Sequence, residues 1–314
     1  MNNTVSGFRL SPHQEHVWLL QHSEAGLPAR AWCVVEISGA LDPERLEKAV
    51  ETTISRHEIL RTSFESLEGM ATPLQVVAES GSNGVEWSLT VLSQSKHELL
   101  VSVPAMCADA ETLKNLVFEI GQHYAGEAEL SEPFQYVDYA EWQHEALSSE
   151  EAERVKAHTQ LEVDQTDLSL PFEKSSRQFD PVTFVSVIPA ETVRQLGEIG
   201  SLSSCLLAAY FVLLARLTEQ SRLSVGVSFN GRNYEELVEA LGLFARFLPI
   251  NAAVGGDFVA LLAAVDEQLA AAEQWQELYV AEGTAAFCFA YEAEAQPQWQ
   301  VREDLQFRLV QSRA

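Results

Sequence analysis

Apolar residues in the first half of the chain recur at both strand spacing and helix spacing, and they predict a mixed α and β fold. Arg30–Ser38 has an apolar, partly β-branched centre, which is typical of a strand. Asp42 and Pro43 then predict the start of a helix, as N-cap and first helical residue. The inward stripe of this helix has helical spacing and consists of Leu46, Ala49, Val50, Thr53 and Ile54.

The same patterns predict further elements up to residue 161. Short strands are predicted at Ile59–Phe64 and Leu74–Ala78, and a hairpin at Val85–Leu92 and Leu99–Val103. A helix beginning at Asp109 has the inward stripe Leu113, Leu116, Val117 and Ile120. Two more helices are predicted near Val137–Leu147 and Glu150–Leu161.

A polar segment at residues 173–181 interrupts this pattern and predicts a linker. Apolar strands and helices then start again. The predicted elements are the strand Val182–Ile188, the buried helix Leu202–Leu217, the strand Leu223–Val227, an amphipathic helix through Phe258–Leu269, and the strands Ala285–Ala290 and Leu305–Leu309. We therefore predict an α/β (α+β) protein with one lobe at residues 1–172 and a second at 182–314.

Composition excludes several classes of protein. The 314 residues carry a net charge of −26 and have no Lys/Arg run, which argues against nucleic acid as a partner. Apolar stretches are too short to predict a membrane span, and the N-terminus lacks a signal-peptide pattern. The four cysteines form no CxxC pair, so neither a zinc site nor a disulfide framework is predicted. The expected location is the cytoplasm.

Five segments resemble known motifs in a fixed order. Leu10–Leu20 resembles SxAQxRLWxL, and Arg56–Phe64 matches RHExLRTxF at every fixed position. Tyr136–Trp142 matches YxDxAxW, Val225–Asn233 resembles VGxPxxGR, and Leu241–Pro249 resembles IGxFVNTL with departures. Together they resemble the condensation-domain family of nonribosomal peptide synthetases. The retained motif residues expected to be structural are Arg56, His57, Arg61, Asp109, Tyr136, Asp138, Trp142 and Arg232.

The resemblance implies two chloramphenicol-acetyltransferase-like lobes arranged as a V-shaped pseudo-dimer. Members of the family join an acyl or peptidyl group to an amine, and both are carried as thioesters on phosphopantetheine arms of carrier proteins. These arms enter a tunnel between the lobes. The implied partners are carrier proteins and neighbouring synthetase domains, and no cofactor is expected to stay bound.

The sequence departs from the family at its central motif, HHxxxDG, which follows a strand and precedes a helix. The corresponding segment runs from Pro104 to Ala110, with Pro104 and Ala105 at the two histidine positions and Asp109 retained. Neither Pro nor Ala side chains can accept a proton or bond an amine. Asp109 is predicted to cap the following helix, and the resemblance adds a salt bridge with Arg232.

Other residues are weaker candidates for chemistry. We interpret Cys107 as a buried, inert thiol, and His57 as a structural motif residue. His13 and His16 lie on one helical face, and a surface or core role is favoured over metal binding because a third ligand is missing. Ser224 and Ser228 lack a GxSxG setting.

These observations leave two functions open, in an order of preference. The favoured one is a condensation-like domain that binds carrier-tethered intermediates or recruits a partner without histidine-dependent catalysis. The alternative is an atypical acyltransferase that forms an amide or ester by proximity. A CoA-dependent acyltransferase is disfavoured by the same missing histidine. The family's (H/N)QDxPFE motif is not recognisable and family domains are longer than this chain, so an incomplete second lobe is expected.

Overall fold

The computed structural model describes residues 7–22, 30–81, 84–126, 131–162, 170–171, 182–281, 285–293 and 296–314. The predicted linker at 173–181 lies outside them. The helices are α1 (Pro12–Gln21), α2 (Pro43–Arg56), α3 (Ala110–Ala125), α4 (Tyr136–Leu147), α5 (Glu150–Glu162), α6 (Ala190–Gly197), α7 (Leu202–Thr218) and α8 (Phe258–Trp275). The strands are β1 (Phe8–Arg9), β2 (Arg30–Gly39), β3 (Thr62–Glu65), β4 (Leu74–Val77), β5 (Glu86–Ser93), β6 (Lys96–Pro104), β7 (Arg222–Phe229), β8 (Arg246–Ala253), β9 (Cys288–Phe289), β10 (Gln298–Arg302) and β11 (Leu305–Arg313).

The helix starts follow from side-chain caps. An Asp42 carboxylate oxygen accepts hydrogen bonds from the backbone N–H groups of Glu44 and Arg45, at 3.1 and 3.3 Å. Both predicted inward stripes, on α2 and α3, are buried. The predicted strand Ile59–Phe64 is wrong in its first half. Glu58–Arg61 form a 3-10 helix instead, and this turn places both apolar side chains of its middle residues in the core.

A five-stranded antiparallel sheet, in the order β10-β11-β2-β6-β5, organises the first lobe. The predicted β5–β6 hairpin is confirmed. The strand at the end of the chain, β11, pairs with β2 from Trp32 to Gly39, with Phe307 opposite Ile37. The assignment of Leu305–Leu309 to the second lobe is therefore wrong. Alternate residues of β11 need a buried face, and such a face lies beside β2 in the first lobe.

Two hydrophobic cores underlie the lobes. The first core contains the stripes of α2 and α3 and also Leu237, Leu241 and Phe244 from the segment that joins β7 to β8. The second core lies around α7, α8 and the three-stranded sheet β8-β7-β9. The segment 237–244, which the sequence assigned to the second lobe, therefore packs against the first lobe and ties the two together.

Residues 182–189 form neither a helix nor a strand, whereas the sequence predicted a strand at Val182–Ile188. Phe184 is 92% exposed, and Val185 and Val187 are each 87% exposed. A strand assignment requires ladder hydrogen bonds to a neighbour, and no strand among the described residues pairs with this segment. The apolar pattern of this segment does not show whether a partner strand is available to it.

The exposure of this segment leads to a first prediction. Phe184→Ser should change the free energy of unfolding by no more than about 0.5 kcal/mol, because the side chain buries little surface. The same change should reduce self-association, since an exposed apolar segment is prone to aggregate. Urea unfolding and light scattering measure the two effects. A loss of several kcal/mol would contradict the exposed position, and Phe211→Ser, in the second core, is the destabilising control.

The length and hydropathy of a helix decide whether it could span a membrane. Among the described residues, each helix taken singly is too short or too polar to cross a bilayer. The pair α6 and α7, bent by 103° at its break, meets the length and composition requirement only when the two are combined.

Candidate functional site at the lobe junction

The segment at the vacated motif positions sits between a strand and a helix. Strand β6 ends at Pro104, a 3-10 helix spans Ala105–Cys107, and α3 begins at Ala110. Pro104 and Ala105 are half-buried. Their side chains carry neither a donor nor an acceptor, so this loop offers no proton-transfer group of its own at these two positions.

Asp109 and Arg232 form a buried, bidentate ion pair across the lobes. Arg232 Nη1 donates to Asp109 Oδ2 at 2.9 Å, and Arg232 Nη2 donates to Oδ1 at 3.0 Å. The pair implied by the family resemblance is thus present, and its geometry is the strong, fork-like kind. Asp109 also caps α3, since Oδ1 accepts the Thr112 backbone N–H at 2.7 Å.

Two further donors fill the remaining capacity of the Asp109 carboxylate. The backbone N–H groups of Phe244 and Ala245 donate to Oδ2 at 2.9 and 2.8 Å. Burial by itself would raise the pKa of Asp109, but the Arg232 charge and these hydrogen bonds outweigh it and hold the pKa below its usual value. Asp109 is therefore a fixed anion with occupied oxygens, which suits a structural role and not that of a base.

Thr112 and Tyr136 extend the junction on either side of this pair. Thr112 Oγ1 donates to the Gly242 carbonyl at 2.6 Å and receives the Gly242 N–H at 3.0 Å. Tyr136 donates its hydroxyl to the Leu243 carbonyl at 2.9 Å. Helices α3 and α4 of the first lobe therefore hold consecutive residues of the segment that precedes β8.

Arg246, at the start of β8, makes a second connection. Its Nη1 donates to the Gln276 carbonyl at 2.8 Å, and its Nη2 donates to the Tyr139 hydroxyl. Its Nε donates to the Phe244 carbonyl at 3.2 Å. The guanidinium is buried and joins α4 of the first lobe to the 3-10 helix Gln276–Leu278 that follows α8.

The RHExLRTxF residues form a separate cluster around Glu119 on α3. Arg56 Nε donates to Glu119 Oε1 at 2.8 Å, and His57 Nε2 lies 2.7 Å from Glu119 Oε2. Burial raises the pKa of Glu119, but His57 and Arg56 outweigh it and lower that pKa overall. Arg61 donates to the Ala78 carbonyl. These contacts join the end of α2 to α3, and the 3-10 helix to the residue after β4, and they support the structural role predicted for the motif.

The YxDxAxW residues are divided between the junction and the surface. Tyr136 lies at the junction, whereas Asp138 is exposed in the first turn of α4. Trp142 packs edge-on against Tyr234, with ring centroids 5.8 Å apart, so it contacts the segment that follows Arg232.

The weaker candidates are not brought together into a reactive group. Cys107 is buried, and burial raises the pKa of its thiol to about 12, so the interpretation as an inert cysteine stands. Ser224 and Ser228 lie on β7, paired with β8. Across the described ranges, no group of three or more His, Cys, Asp or Glu side chains is placed to hold a metal ion.

His13, for which the sequence favoured a surface or core role over metal binding, is affected by charges at the junction. It is half-buried in the first turn of α1, and the groups that act on it are Arg246, His16, Asp109 and the backbone of Ala245. Burial, then the Arg246 charge, lowers the pKa of His13 to about 3, so the imidazole is neutral at pH 7. A base so far below the working pH is poorly suited to proton transfer.

Comparison with known proteins identifies the class of domain. The sequence model of the condensation domain matches residues 7–99 and 85–280. The chain belongs to the condensation-domain family. Gramicidin S synthase 2 of Brevibacillus brevis is 27% identical over 284 residues, which is 78% of this chain and 6% of that protein. Tyrocidine synthase 2 of Brevibacillus parabrevis is 28% identical over 286 residues, 78% of this chain and 8% of that protein. The chain thus spans less than a tenth of the length of these two relatives.

Solved structures share the fold at low identity. The condensation domain of the monacolin K polyketide synthase MokA has a TM-score of 0.80 at 20% identity, covering 98% of this chain and 85% of that one. The X-domain from teicoplanin biosynthesis, in complex with OxyB, has a TM-score of 0.68 at 21% identity, covering 87% of this chain and 71% of that one. The fold is therefore that of condensation domains, with chloramphenicol-acetyltransferase-like lobes.

Motif departures in this condensation domain cluster at the lobe junction. His13 stands at the alanine of SxAQxRLWxL, His16 at its arginine, and Arg246 at the asparagine of IGxFVNTL. The charge of Arg246 lowers the pKa of His13, so departures in two distant motifs lie within electrostatic range of each other. The departure at residue 13 was the signal available from the sequence, but nothing in the chain order placed it near Asp109.

Proposed function

We propose that this condensation domain binds carrier-protein-tethered intermediates, or recruits a partner, without the histidine-dependent condensation reaction. In this proposal the substrates arrive on phosphopantetheine arms within a cytoplasmic assembly line. The proposal rests on the following combination. Pro104 and Ala105 occupy the two histidine positions, and both carboxylate oxygens of Asp109 already accept hydrogen bonds. The positioned base that general acid–base catalysis requires is therefore lacking at those two motif positions.

A recruiting role has independent support. The X-domain that shares this fold was solved in complex with another protein, OxyB. That complex supports a use of the fold as a docking platform. Carrier proteins are usually acidic, as this chain is, so binding should rely on apolar contacts or on local basic groups.

The alternative, an atypical acyltransferase, is favoured by one observation, the presence of the His13 imidazole near Asp109. Its neutral ring could orient an amine, and alignment of two thioesters would supply proximity. This activity would be slow, because general acid–base assistance is worth about 100- to 10,000-fold.

One experiment separates the two functions. The domain is incubated with acyl-loaded and aminoacyl-loaded carrier proteins, and intact-protein mass spectrometry follows the product. We expect binding of the loaded carriers but product no faster than in carriers alone. Product at rates well above that control would reject the noncatalytic function. The absence of any binding of loaded carriers would reject the acyltransferase and the carrier-binding form of the proposal.

Restoring one histidine should not create efficient condensation. Ala105→His is expected to leave product formation within about tenfold of the unmodified domain, below the 100-fold or more of a working acid–base group. The reason is that Pro104 fixes the backbone before residue 105, and Ala110 stands at the motif glycine. The carrier assay measures it, with Ala105→Ser as the matched control. Full turnover by Ala105→His alone would contradict this.

A further inference from the structure

Two motif residues on α4, Asp138 and Trp142, are exposed, whereas Tyr136 and Tyr139 of the same segment are buried. Asp138 and Trp142 are four residues apart and therefore share one face of the helix. Trp142 is 37% exposed, and the Tyr234 ring packs edge-on against it with ring planes at 82°. One ring comes from the first lobe and the other from the segment between β7 and β8, so the two form an exposed aromatic corner beside the lobe junction.

The segment that carries Tyr234 is fixed from below while its outer side chains stay exposed. Leu237 is buried in the first core, whereas Tyr234 is 50% exposed and Val238 is 54% exposed. Asn115 of α3 donates to the Val238 carbonyl at 2.8 Å, and Asn233 donates to a carbonyl of α8 at 3.0 Å. Trp142, Tyr234 and Val238 are called the aromatic patch below. Its backbone is held by both lobes, so the exposed side chains are already ordered for contact.

Exposed carboxylates border the aromatic patch. One is a turn before Trp142 on α4, and the others neighbour Tyr234 and Val238 in the chain; they are Asp138, Glu235, Glu236 and Glu239. Across the residues that the structure describes, none of the four forms an ion pair with a basic side chain. Lys114, next to Asn115 on α3, is paired with Glu111 at 3.2 Å. The patch is therefore apolar at its centre and has uncompensated negative charge at its edge.

The charge at this edge selects between possible occupants of the aromatic patch. A second copy of this chain also has a net charge of −26, and carrier proteins are usually acidic, so both would be repelled. Arginine and lysine side chains instead pair with carboxylates, contact the faces of aromatic rings and lay their carbon stems on apolar surface. A protein surface that presents such side chains together with apolar ones is complementary to the patch in both respects.

We propose that the aromatic patch is a docking surface for a partner protein that binds through a basic and apolar segment. The inference rests on the recruiting form of the proposed function, and it gives the recruited partner a chemistry. Aromatic anchors within a charged rim are typical of protein interfaces. Carrier proteins, being acidic, must then dock elsewhere on this domain.

The test uses a defined probe in place of the partner. The probe is a fluorescein-labelled synthetic helix with arginine on one face and leucine on the other, and its affinity for the intact domain is measured by fluorescence anisotropy. The patch triple variant combines Glu235→Gln, Glu236→Gln and Glu239→Gln. Tyr234→Ala removes one ring of the aromatic corner. These side chains are exposed, so urea midpoints should stay close to that of the unmodified domain.

Matched controls separate the patch from the overall charge. The α2 triple variant, with Glu44→Gln, Glu47→Gln and Glu51→Gln, makes the same change of charge on an exposed face of a helix without aromatic residues. Tyr291→Ala removes an exposed tyrosine elsewhere. A probe with glutamate in place of arginine tests the sign of the charge.

We expect the patch triple variant to bind the arginine probe about 5- to 10-fold more weakly and Tyr234→Ala about 2- to 5-fold more weakly, with both controls within about twofold. Equal losses in the two triple variants would show that net charge alone attracts the probe, and would overturn the inference. It is overturned as well if the unmodified domain does not bind the arginine probe, or binds the glutamate probe equally. Binding of loaded carriers, measured in parallel, tests the carrier-binding form of the proposed function separately.

Discussion

Replacing Arg232 with alanine is expected to lower the free energy of unfolding by about 3–5 kcal/mol. Arg232 is 6% exposed and Asp109 is 3% exposed, so the change leaves a buried, uncompensated charge. It also removes the contact of Arg232 with the Phe244 ring, whose centroid lies 4.5 Å away. Urea unfolding of the intact chain measures the loss. Arg194→Ala, which breaks an exposed ion pair with Glu191 on α6, is the control and should have a small effect.

A double-mutant cycle with Asp109→Asn isolates the pair. The two changes should be strongly non-additive, because each alone removes the same interaction. Additive effects would show that the two groups are not coupled, and they would reject the role of this pair in holding the lobes.

The same pair predicts a dependence of stability on pH. The folded pKa of Asp109 lies below its usual value of 3.8, so its stabilising contribution is complete above that value. It is lost as the pH falls through the folded pKa. The unmodified domain should therefore lose more stability on acidification below about pH 4 than Arg232→Ala does. Urea midpoints at a series of acidic pH values measure this difference.

Gly242→Ala is expected to destabilise the domain by about 3 kcal/mol, at the upper end of the cost of overpacking a core. A methyl group at this position would lie 2.0 Å from Cδ2 of Tyr136. The ring cannot move aside freely, since its hydroxyl is bonded to Ser11 and to the Leu243 carbonyl. Thermal and urea unfolding measure the loss.

Gly255→Ala is the matched control, because a methyl group there meets no other atom within 4 Å. It should leave stability nearly unchanged. Equal midpoints for Gly242→Ala and Gly255→Ala would show that the close packing of residue 242 on Tyr136 is not maintained in solution.

The sequence predicted those elements whose cause is local. The N-cap and Pro43 at the start of α2, the stripe of α3 and the β5–β6 hairpin depend on residues near one another in the chain, and all are present. The predictions were wrong where an element depends on a partner strand that is distant in the chain. Residues 182–189 have the composition of a strand but no neighbouring strand among the described residues, and β11 finds its partner in β2.

The candidate site shows the same division. Motif order located Asp109, Arg232 and the vacated positions, because each belongs to a recognisable segment. The position of His13 depends instead on how α1 rests against residues about a hundred and more than two hundred positions later, through Met106 and Ala245. The spacing of residues within α1 does not reveal that position, so the sequence favoured a surface or core role for His13.

The pairing of β11 with β2 constrains the order in which this domain can form. Glu36 and Arg308, 272 positions apart, face each other across the two strands and are joined by a hydrogen bond. During synthesis, β2 leaves the ribosome long before β11 exists, so one edge of β2 stays unpaired until β11 is made. Contacts so distant in sequence also slow folding, because a long loop must close first. The first lobe is therefore completed late, and a cut between the lobes would leave it without the strand that seals that edge.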